Sequence, residues 1–464
     1  MTRTAQACVF LIATSVLAAC GAALAPIWQI KLPTQYNQLL RGSSENDAYV
    51  LRYGEDNTPA IYQITREGSV SEITAVALAS TQVLGRLGQQ IWVADDDYLD
   101  YTARDLLRAQ ALNLDDYSVA PALPDELHAA FAQFRGYIKQ RGSLPFSDPA
   151  GIAISGEATL VGQATAQPVI AAVNLDGSSH YELLSGDIVY HELMPLPRSS
   201  LYALRILYSQ AHFQATGIYS RITFYDSALT PLQTLDLPQR LGTVTAFPDR
   251  LHASNLLDPG YMEIHTDGSM TTSERKGRVW NDKTRFLFHE DFFYAIEVND
   301  QYRSVCRFNY ELEETNCFRP RDDYWTSDAI LLPDGTLSTA ETHRRIVLNG
   351  IEIALTSQNQ SLLTSIEGLG YEESQIFYRT YTPLGVLISE IAAPPFKQFG
   401  QLFPCRYRRE GVCLWDTTSV TAGTCGVTSF IPFSGTEVMA SETMCGEGQN
   451  TGAITLWKNT LIAN

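Results

Sequence analysis

Residues 221–238 read Arg221-Ile222-Thr223-Phe224-Tyr225-Asp226, then Ser227-Ala228-Leu229-Thr230, then Pro231-Leu232-Gln233-Thr234-Leu235-Asp236-Leu237-Pro238. Both outer runs are built from β-branched, aromatic and aliphatic residues alternating with polar ones, the period of a half-buried strand. The four residues between them interrupt that alternation, so the stretch predicts a β-hairpin. The same grammar recurs along the chain. Ile61–Thr65 and Val70–Ile73 flank Arg66-Glu67-Gly68-Ser69, and Val169–Leu175 ends at Asp176-Gly177. Tyr261–His265 turns at Thr266-Asp267-Gly268-Ser269, Ile330–Leu332 at Pro333-Asp334-Gly335-Thr336, and Ile376–Tyr381 at Thr382-Pro383-Leu384-Gly385. Asp-Gly between alternating apolar runs is the strongest short-range hairpin signal.

The later hairpins begin near residues 169, 221, 261, 305, 346 and 376, in steps of 52, 40, 44, 41 and 30. A period of about 40–50 residues fits four strands per repeat. The 221–238 hairpin resembles the outer strand pair of a propeller blade. The expected fold is therefore all-β, a β-propeller of seven or eight blades over residues 27–464. Two β-sandwich or barrel domains are the alternative. No family motif is legible: the Trp-Asp and Gly-His pairs of WD repeats and the Trp-bearing repeat of quinone-dehydrogenase-like propellers are absent. Ile27–Leu32 and Ala453–Trp457 both alternate, and pairing of such terminal strands removes exposed edges. One helix is expected near 125–141, starting at Pro124-Asp125-Glu126 with Leu127, Ala130, Phe131, Phe134 and Ile138 on one face. It reads as part of an insertion within 95–160, the least repetitive segment.

Composition agrees. With 45% hydrophobic and 18% charged residues the chain carries enough apolar material for a large core. A formal charge of −18 argues against nucleic acid as a partner, since its readers show a basic stripe.

The first residues carry the clearest message about location. Arg3 precedes an apolar run from Cys8 to Ala19, the form of a secretory signal. Its end, Leu17-Ala18-Ala19-Cys20-Gly21, resembles the lipobox of bacterial lipoproteins. That resemblance implies a signal peptide over 1–19, a diacylglycerol on Cys20, and a lipid-anchored tether over 20–26. Gly21, rather than Asp, resembles lipoproteins sent to the outer membrane, which implies a periplasm-facing envelope location. A span over Thr4–Ile30 and cleavage at Ala23-Leu24-Ala25 are the competing readings; Gln6, Gln29 and Pro26 count against them.

Removing Cys8 and Cys20 from the 8 cysteines leaves 8 − 2 = 6, Cys306, Cys317, Cys405, Cys413, Cys425 and Cys445, all within 305–450. An even number in an exported chain reads as disulfides, with 15 possible connectivities. Proximity favours Cys306–Cys317, Cys405–Cys413 and Cys425–Cys445. Zinc spacing is absent.

Catalytic signatures are not found: there is no G-x-S-x-G, H-E-x-x-H, Walker loop or EF-hand pattern, and no cofactor is implied. His191-Glu192 and His289-Glu290-Asp291 lack a second His at helical spacing. Asp95, Asp97 and Asp100, with Asp96, Asp115 and Asp116 nearby, are the candidates for a hard cation, against the simpler reading of a solvated turn. Arg319, Arg321, Arg344, Arg345, Arg406, Arg408 and Arg409 concentrate positive charge, either as an anion- or partner-binding patch or as partners of the surplus carboxylates. Tyr98, Tyr101 and Tyr117 are surface-anchor candidates.

These readings converge on a membrane-anchored periplasmic protein that offers an interaction or scaffold surface to an envelope protein partner, loosely similar to the propeller lipoproteins of outer-membrane assembly machinery. The alternative is an exported enzyme or small-ligand receptor with a site in a central channel, as in propeller lactonases. A surface-displayed adhesin shares the anchor.

Overall fold

The structure, a computed structural model, describes residues 26–32, 38–41, 47–53, 59–73, 78, 82–94, 108–130, 134–138, 151–158, 167–174, 176–255, 261–273, 284–298, 303–318, 324–348, 351–354, 369–401, 418–421, 423–434, 437–445 and 451–458. Their strands form eight antiparallel sheets, seven of them four-stranded. The fold is all-β, an eight-bladed propeller.

Blade 1 is Gln38–Arg41, Asp47–Tyr53, Pro59–Thr65 and Val70–Glu72; blade 2 is Gln82–Leu87, Gln90–Ala94, Gln110–Asn113 and Val119–Pro121. Blade 3 is Phe134–Ile138, Gly151–Ala158, Gln167–Asn174 and Ser179–Leu183; blade 4 is Ile188–Pro195, Tyr202–Tyr208, Ser220–Tyr225 and Pro231–Leu237. Blade 5 is Leu241–Ala246, Arg250–Asn255, Tyr261–His265 and Met270–Ser273; blade 6 is Arg285–Phe288, Phe292–Val298, Arg303–Asn309 and Glu314–Phe318. These six blades lie in one compact unit.

The other unit holds blade 8 and blade 7, apart from the turn Ile330–Gly335. Blade 7 is Tyr324–Leu331, Leu337–Leu348, Leu369–Tyr381 and Leu387–Ala392, widened by Ile351–Ala354, Phe396–Gln401 and Thr418–Thr421. Blade 8 joins Gly423–Ser434, Glu437–Cys445 and Thr451–Lys458 to the N-terminal strand Trp28–Leu32. Trp28 pairs with Leu456 and Leu32 with Gly452. The two ends of the described chain thus share one blade, as their alternation implied.

Blade 4 shows why these sequences make blades. Its second strand is buried throughout, while its fourth is mostly exposed or half-buried. The quoted hairpin spans the change: Ser220–Tyr225 is buried except at Arg221, and Pro231–Leu237 is exposed or half-buried up to Leu237. Arg221 faces Asp236 across that pair, with Nε to Oδ1 at 2.6 Å and Nη2 to Oδ2 at 2.9 Å. Within the unit of blades 1 to 6, core residues fill the space between consecutive blades. Trp92 of blade 2 packs with Ile152 and Val169 of blade 3, and Ile222 and Phe224 of blade 4 pack with Val244 and Ile264 of blade 5.

The expected helix over 125–141 is corrected. The helix covers only Asp125–Ala130, and Phe134–Ile138 is the first strand of blade 3, paired with Gly151–Ala158. Phe134 and Ile138 satisfy the strand period as well as the helical one, and Gly136 between them weakens a helix. Pairing along five residues then decides for strand. Between 95 and 160 the described residues also supply the outer strands of blade 2 and the second strand of blade 3.

Candidate functional site at the outer hairpins and the N-terminal strand

One turn geometry recurs where the third strand of a blade passes to the fourth. In blades 1, 3, 4, 5, 6 and 7 the last residue before the turn donates its N–H to the carbonyl four residues on, at 2.8–3.1 Å. It also accepts from the N–H three residues on, again at 2.8–3.1 Å. That third residue is left-handed in every case: Gly68, Gly177, Leu229, Gly268, Leu312 and Gly385, with φ between 54° and 87°. Leu229 and Leu312 hold this conformation without the freedom of glycine; Leu229 is buried against the blade and Leu312 packs on it half-buried.

The polar turns reinforce themselves. Asp267 Oδ1 accepts from the Ser269 N–H at 2.8 Å and from its hydroxyl at 2.6 Å; Asp176 does the same with Ser178 at 2.9 and 2.6 Å. These bonds favour the ionised carboxylates and lower both pKa values. Asp116 in blade 2 holds Ser118 in the same way, at 3.0 and 2.7 Å, which assigns it to a turn. Tyr117 beside it is left-handed, with its hydroxyl 3.1 Å from that of Tyr49.

Blade 7 has the same backbone and the opposite chemistry. Thr382 Oγ1 accepts from the Val386 N–H at 3.0 Å, and Gly385 takes φ 85°. Leu384 is 74% exposed, Val386 60%, Leu387 45% and Ile388 39%. Tyr381 through Ser389 contains no charged residue. At the base of the hairpin the Arg379 Nε donates to Glu390 Oε2 at 2.7 Å, and its Nη1 pairs with Glu341.

Behind the hairpin, buried polar groups join blade 7 to blade 8. The Tyr378 hydroxyl and the Trp457 indole N–H both donate to Glu442 Oε1, at 2.5 and 2.6 Å, while Thr424 Oγ1 lies 3.3 Å from Oε2. Glu442 is fully buried; desolvation raises its pKa, and the hydrogen bonds to its carboxylate only partly offset this. Burial, with Glu442 adjacent, drives the Tyr378 hydroxyl well above its usual range. A carboxylate so placed acts as an acceptor hub between blades.

The other sequence candidates fall into structural roles or outside the described residues. His191 Nε2 lies 2.8 Å from the Gly156 carbonyl of blade 3, and burial lowers its pKa. Glu192 accepts from the Tyr190 hydroxyl at 2.8 Å and pairs with Arg205, which donates to the Leu241 carbonyl of blade 5 at 2.7 Å. His289 stacks on Phe292, and Glu290 bonds Arg198 at 3.1 Å on the surface. Arg345 pairs with Glu373. Arg319, Arg321, Arg406, Arg408, Arg409, Asp95, Asp97, Asp100, Tyr98, Tyr101 and Cys20 lie outside the described residues, as do Cys405 and Cys413.

Two of the favoured cysteine pairs are disulfides. Cys306 and Cys317 face each other on the outer strands of blade 6, Cα–Cα 4.0 Å, and Cys425 joins Cys445 in blade 8, Cα–Cα 5.7 Å. Glu314 lies beside the first pair at metal-ligand spacing, but both sulfurs are bonded to each other. The exposed blade 7 tip was missed by the sequence reading; the uncharged run from Tyr381 to Ser389 is the signal that reveals it.

Protein-family models and curated proteins yield no match. Solved structures do. Streptogramin B lyase is 11% identical, covering 67% of this chain and 94% of its own, TM-score 0.32. BamB from Moraxella catarrhalis is 11% identical, covering 94% and 100%, TM-score 0.35. The dihydro-heme d1 dehydrogenase NirN in complex with DHE is 9% identical, covering 78% and 77%, TM-score 0.35. Likeness at this level bears on the fold alone, and the function rests on this chain's own residues.

Proposed function

We propose that the protein is a lipid-anchored propeller of the bacterial cell envelope, facing the periplasm from the outer membrane, which offers its blades as a docking scaffold to an envelope protein partner. One observation carries the reading: Leu17-Ala18-Ala19-Cys20 stands only eight residues ahead of Trp28, which is built into blade 8. Eight residues span at most roughly 28 Å, so an acyl group on Cys20 holds the blades close to the bilayer. Three acyl chains exceed the two-signal threshold for stable attachment. The paired disulfides fit an oxidising compartment. Membrane at the anchor and protein at the blades are the two partners of this reading. Extraction in mild detergent, followed by cross-linking and identification of co-purifying chains, tests it. A reproducible envelope partner is expected; repeated recovery as a lone monomer contradicts the scaffold role.

A further inference from the structure

The blade 7 hairpin and the N-terminal strand point the same way. Thr418–Thr421 pairs antiparallel with Phe396–Gln401, which is itself antiparallel to Leu369–Tyr381, so Thr418–Thr421 runs with Leu369–Tyr381. Pro395 makes a local parallel bridge to Thr424, beside Phe396, the partner of Ser374. Six residues past Thr424, the Phe430 ring lies 6.0 Å from the ring of Tyr378, four residues past Ser374. The first strand of blade 8 therefore runs alongside the third strand of blade 7 in the same direction. Blade 8 is antiparallel throughout, so its third strand, Thr451–Lys458, shares that direction and ends on the side of the blade 7 turn. The strand Trp28–Leu32 starts on this side, where the Ile27 N–H donates to the Leu456 carbonyl at 2.9 Å.

Phe430 pairs through Ala440 to Thr455, which puts Tyr378 near the level of Thr455. At about 3.3 Å per residue, the turn reaches roughly 13 Å beyond that level, and Ile27 lies roughly 7 Å beyond it. The apolar tip thus projects past the point where the tether begins. The tip is uncharged over Tyr381–Ser389 and exposed at Leu384, Val386, Leu387 and Ile388. Ile27, 48% exposed, adds apolar surface at the tether itself, and exposed Lys458 ends the strand beside it. A tether of eight residues draws this side toward the bilayer.

We infer that the Leu384–Ile388 hairpin tip inserts its side chains into the lipid surface, a second membrane contact that sets the orientation of the anchored unit. This rests on the lipid-anchor reading of Cys20. The hairpin fits the depth of the headgroup and acyl boundary, about 5–10 Å, and the Arg379–Glu390 pair at its base marks where the polar surface resumes. The turn imposes no need for these side chains, since Asp267-Gly268-Ser269 builds the same loop in blade 5.

The test uses the full chain isolated from membranes and reconstituted in vesicles of phosphatidylethanolamine and phosphatidylglycerol containing a phospholipid with a photoreactive group in its acyl chain. Adducts are mapped by mass spectrometry, and the lipid on the Cys20 peptide is read in the same sample. The expected result is lipid adducts on residues 380–390, falling about fivefold or more in the L384D/V386S variant, with unchanged circular dichroism and unchanged Cys20 acylation. Acylated Cys20 with no more adduct on this hairpin than on the blade 5 hairpin around Asp267 overturns the inference and leaves the anchor standing. Unmodified Cys20 with an adduct on the hairpin supports the membrane contact while the anchor reading falls. Cross-linking of the tip to a second copy or to another protein, in place of lipid, also overturns it.

Discussion

Blade 5 and blade 7 make the same turn from opposite materials. His265 to Ser269 and Thr382 to Val386 share both backbone hydrogen bonds and a left-handed glycine, φ 87° and 85°. Blade 5 fills the loop with an aspartate that holds its own serine; blade 7 fills it with leucine and valine turned to solvent. The contrast continues beneath the turns. Blade 5 buries a histidine, His252, stacked 4.9 Å from Tyr261, and blade 8 buries a carboxylate, Glu442, against Tyr378 of blade 7. The same backbone accepts aspartate and serine in blade 5 and leucine and valine in blade 7, so the turn itself does not call for the apolar side chains.

The largest effect is expected at the buried carboxylate. Glu442→Ala leaves the Tyr378 hydroxyl and the Trp457 N–H without their acceptor and opens a cavity, a loss of about 4 kcal/mol by equilibrium unfolding. Glu442→Gln keeps an acceptor and should cost far less. Its pH dependence has a definite sign. The folded pKa of Glu442 is raised, so the native state binds the proton more readily. This contribution favours folding at low pH and is lost as pH rises from the unfolded value of 4.5 through the folded one. Glu442→Gln should remove that slope.

His252 has the opposite sign. Burial, then the charge of Arg250, lowers its pKa from 6.5 to about 4. It is neutral in the fold, so the unfolded chain gains the proton first as pH falls, and stability declines between pH 6.5 and about 4. The decline is on the order of 3 kcal/mol. Replacing His252 with Phe, which retains the stacking ring, should flatten melting temperature over that window; an unchanged slope would show that the histidine is protonated in the fold. Next in size, reducing the Cys306–Cys317 bridge should cost about 2–3 kcal/mol, seen as a lower denaturant midpoint.

The smallest effect on folding is expected where the contrast is sharpest. Giving blade 7 the blade 5 chemistry, Leu384→Asp with Val386→Ser, should change stability by no more than about 0.5 kcal/mol. Gly385→Ala, by contrast, should cost about 1 kcal/mol or more from the left-handed position. Equal losses in the two variants would mean that the leucine and valine serve the fold.

What was legible in the sequence was local. Strand, turn and strand lie within about twenty residues of one another, so Arg221–Leu237, Tyr261–Ser273 and the two disulfides follow from adjacent letters. That the two terminal strands share a blade followed from alternation at both ends, while the register of Trp28 on Leu456 did not. What escaped depended on distance or on competing periods. Tyr378 and Glu442 are 64 positions apart, and no pattern couples them. Phe134 and Ile138 fit two periods, and only the partner strand Gly151–Ala158 decides between them. The widening of blade 7 by Phe396–Gln401 and Thr418–Thr421 follows no short turn in the sequence, whereas Ile351–Ala354 belongs to the hairpin that begins near 346, across Asn349-Gly350.

The proposed lipid anchor at Cys20 gives the contrast between the blades its meaning, and it is directly measurable. Mass spectrometry of the N-terminal peptide of the protein purified from its native membranes should show a chain beginning at Cys20, bearing a diacylglyceryl thioether and an acylated amine. A chain that begins at Pro26, or one that retains residues 1–19 with an unmodified Cys20, would contradict the account.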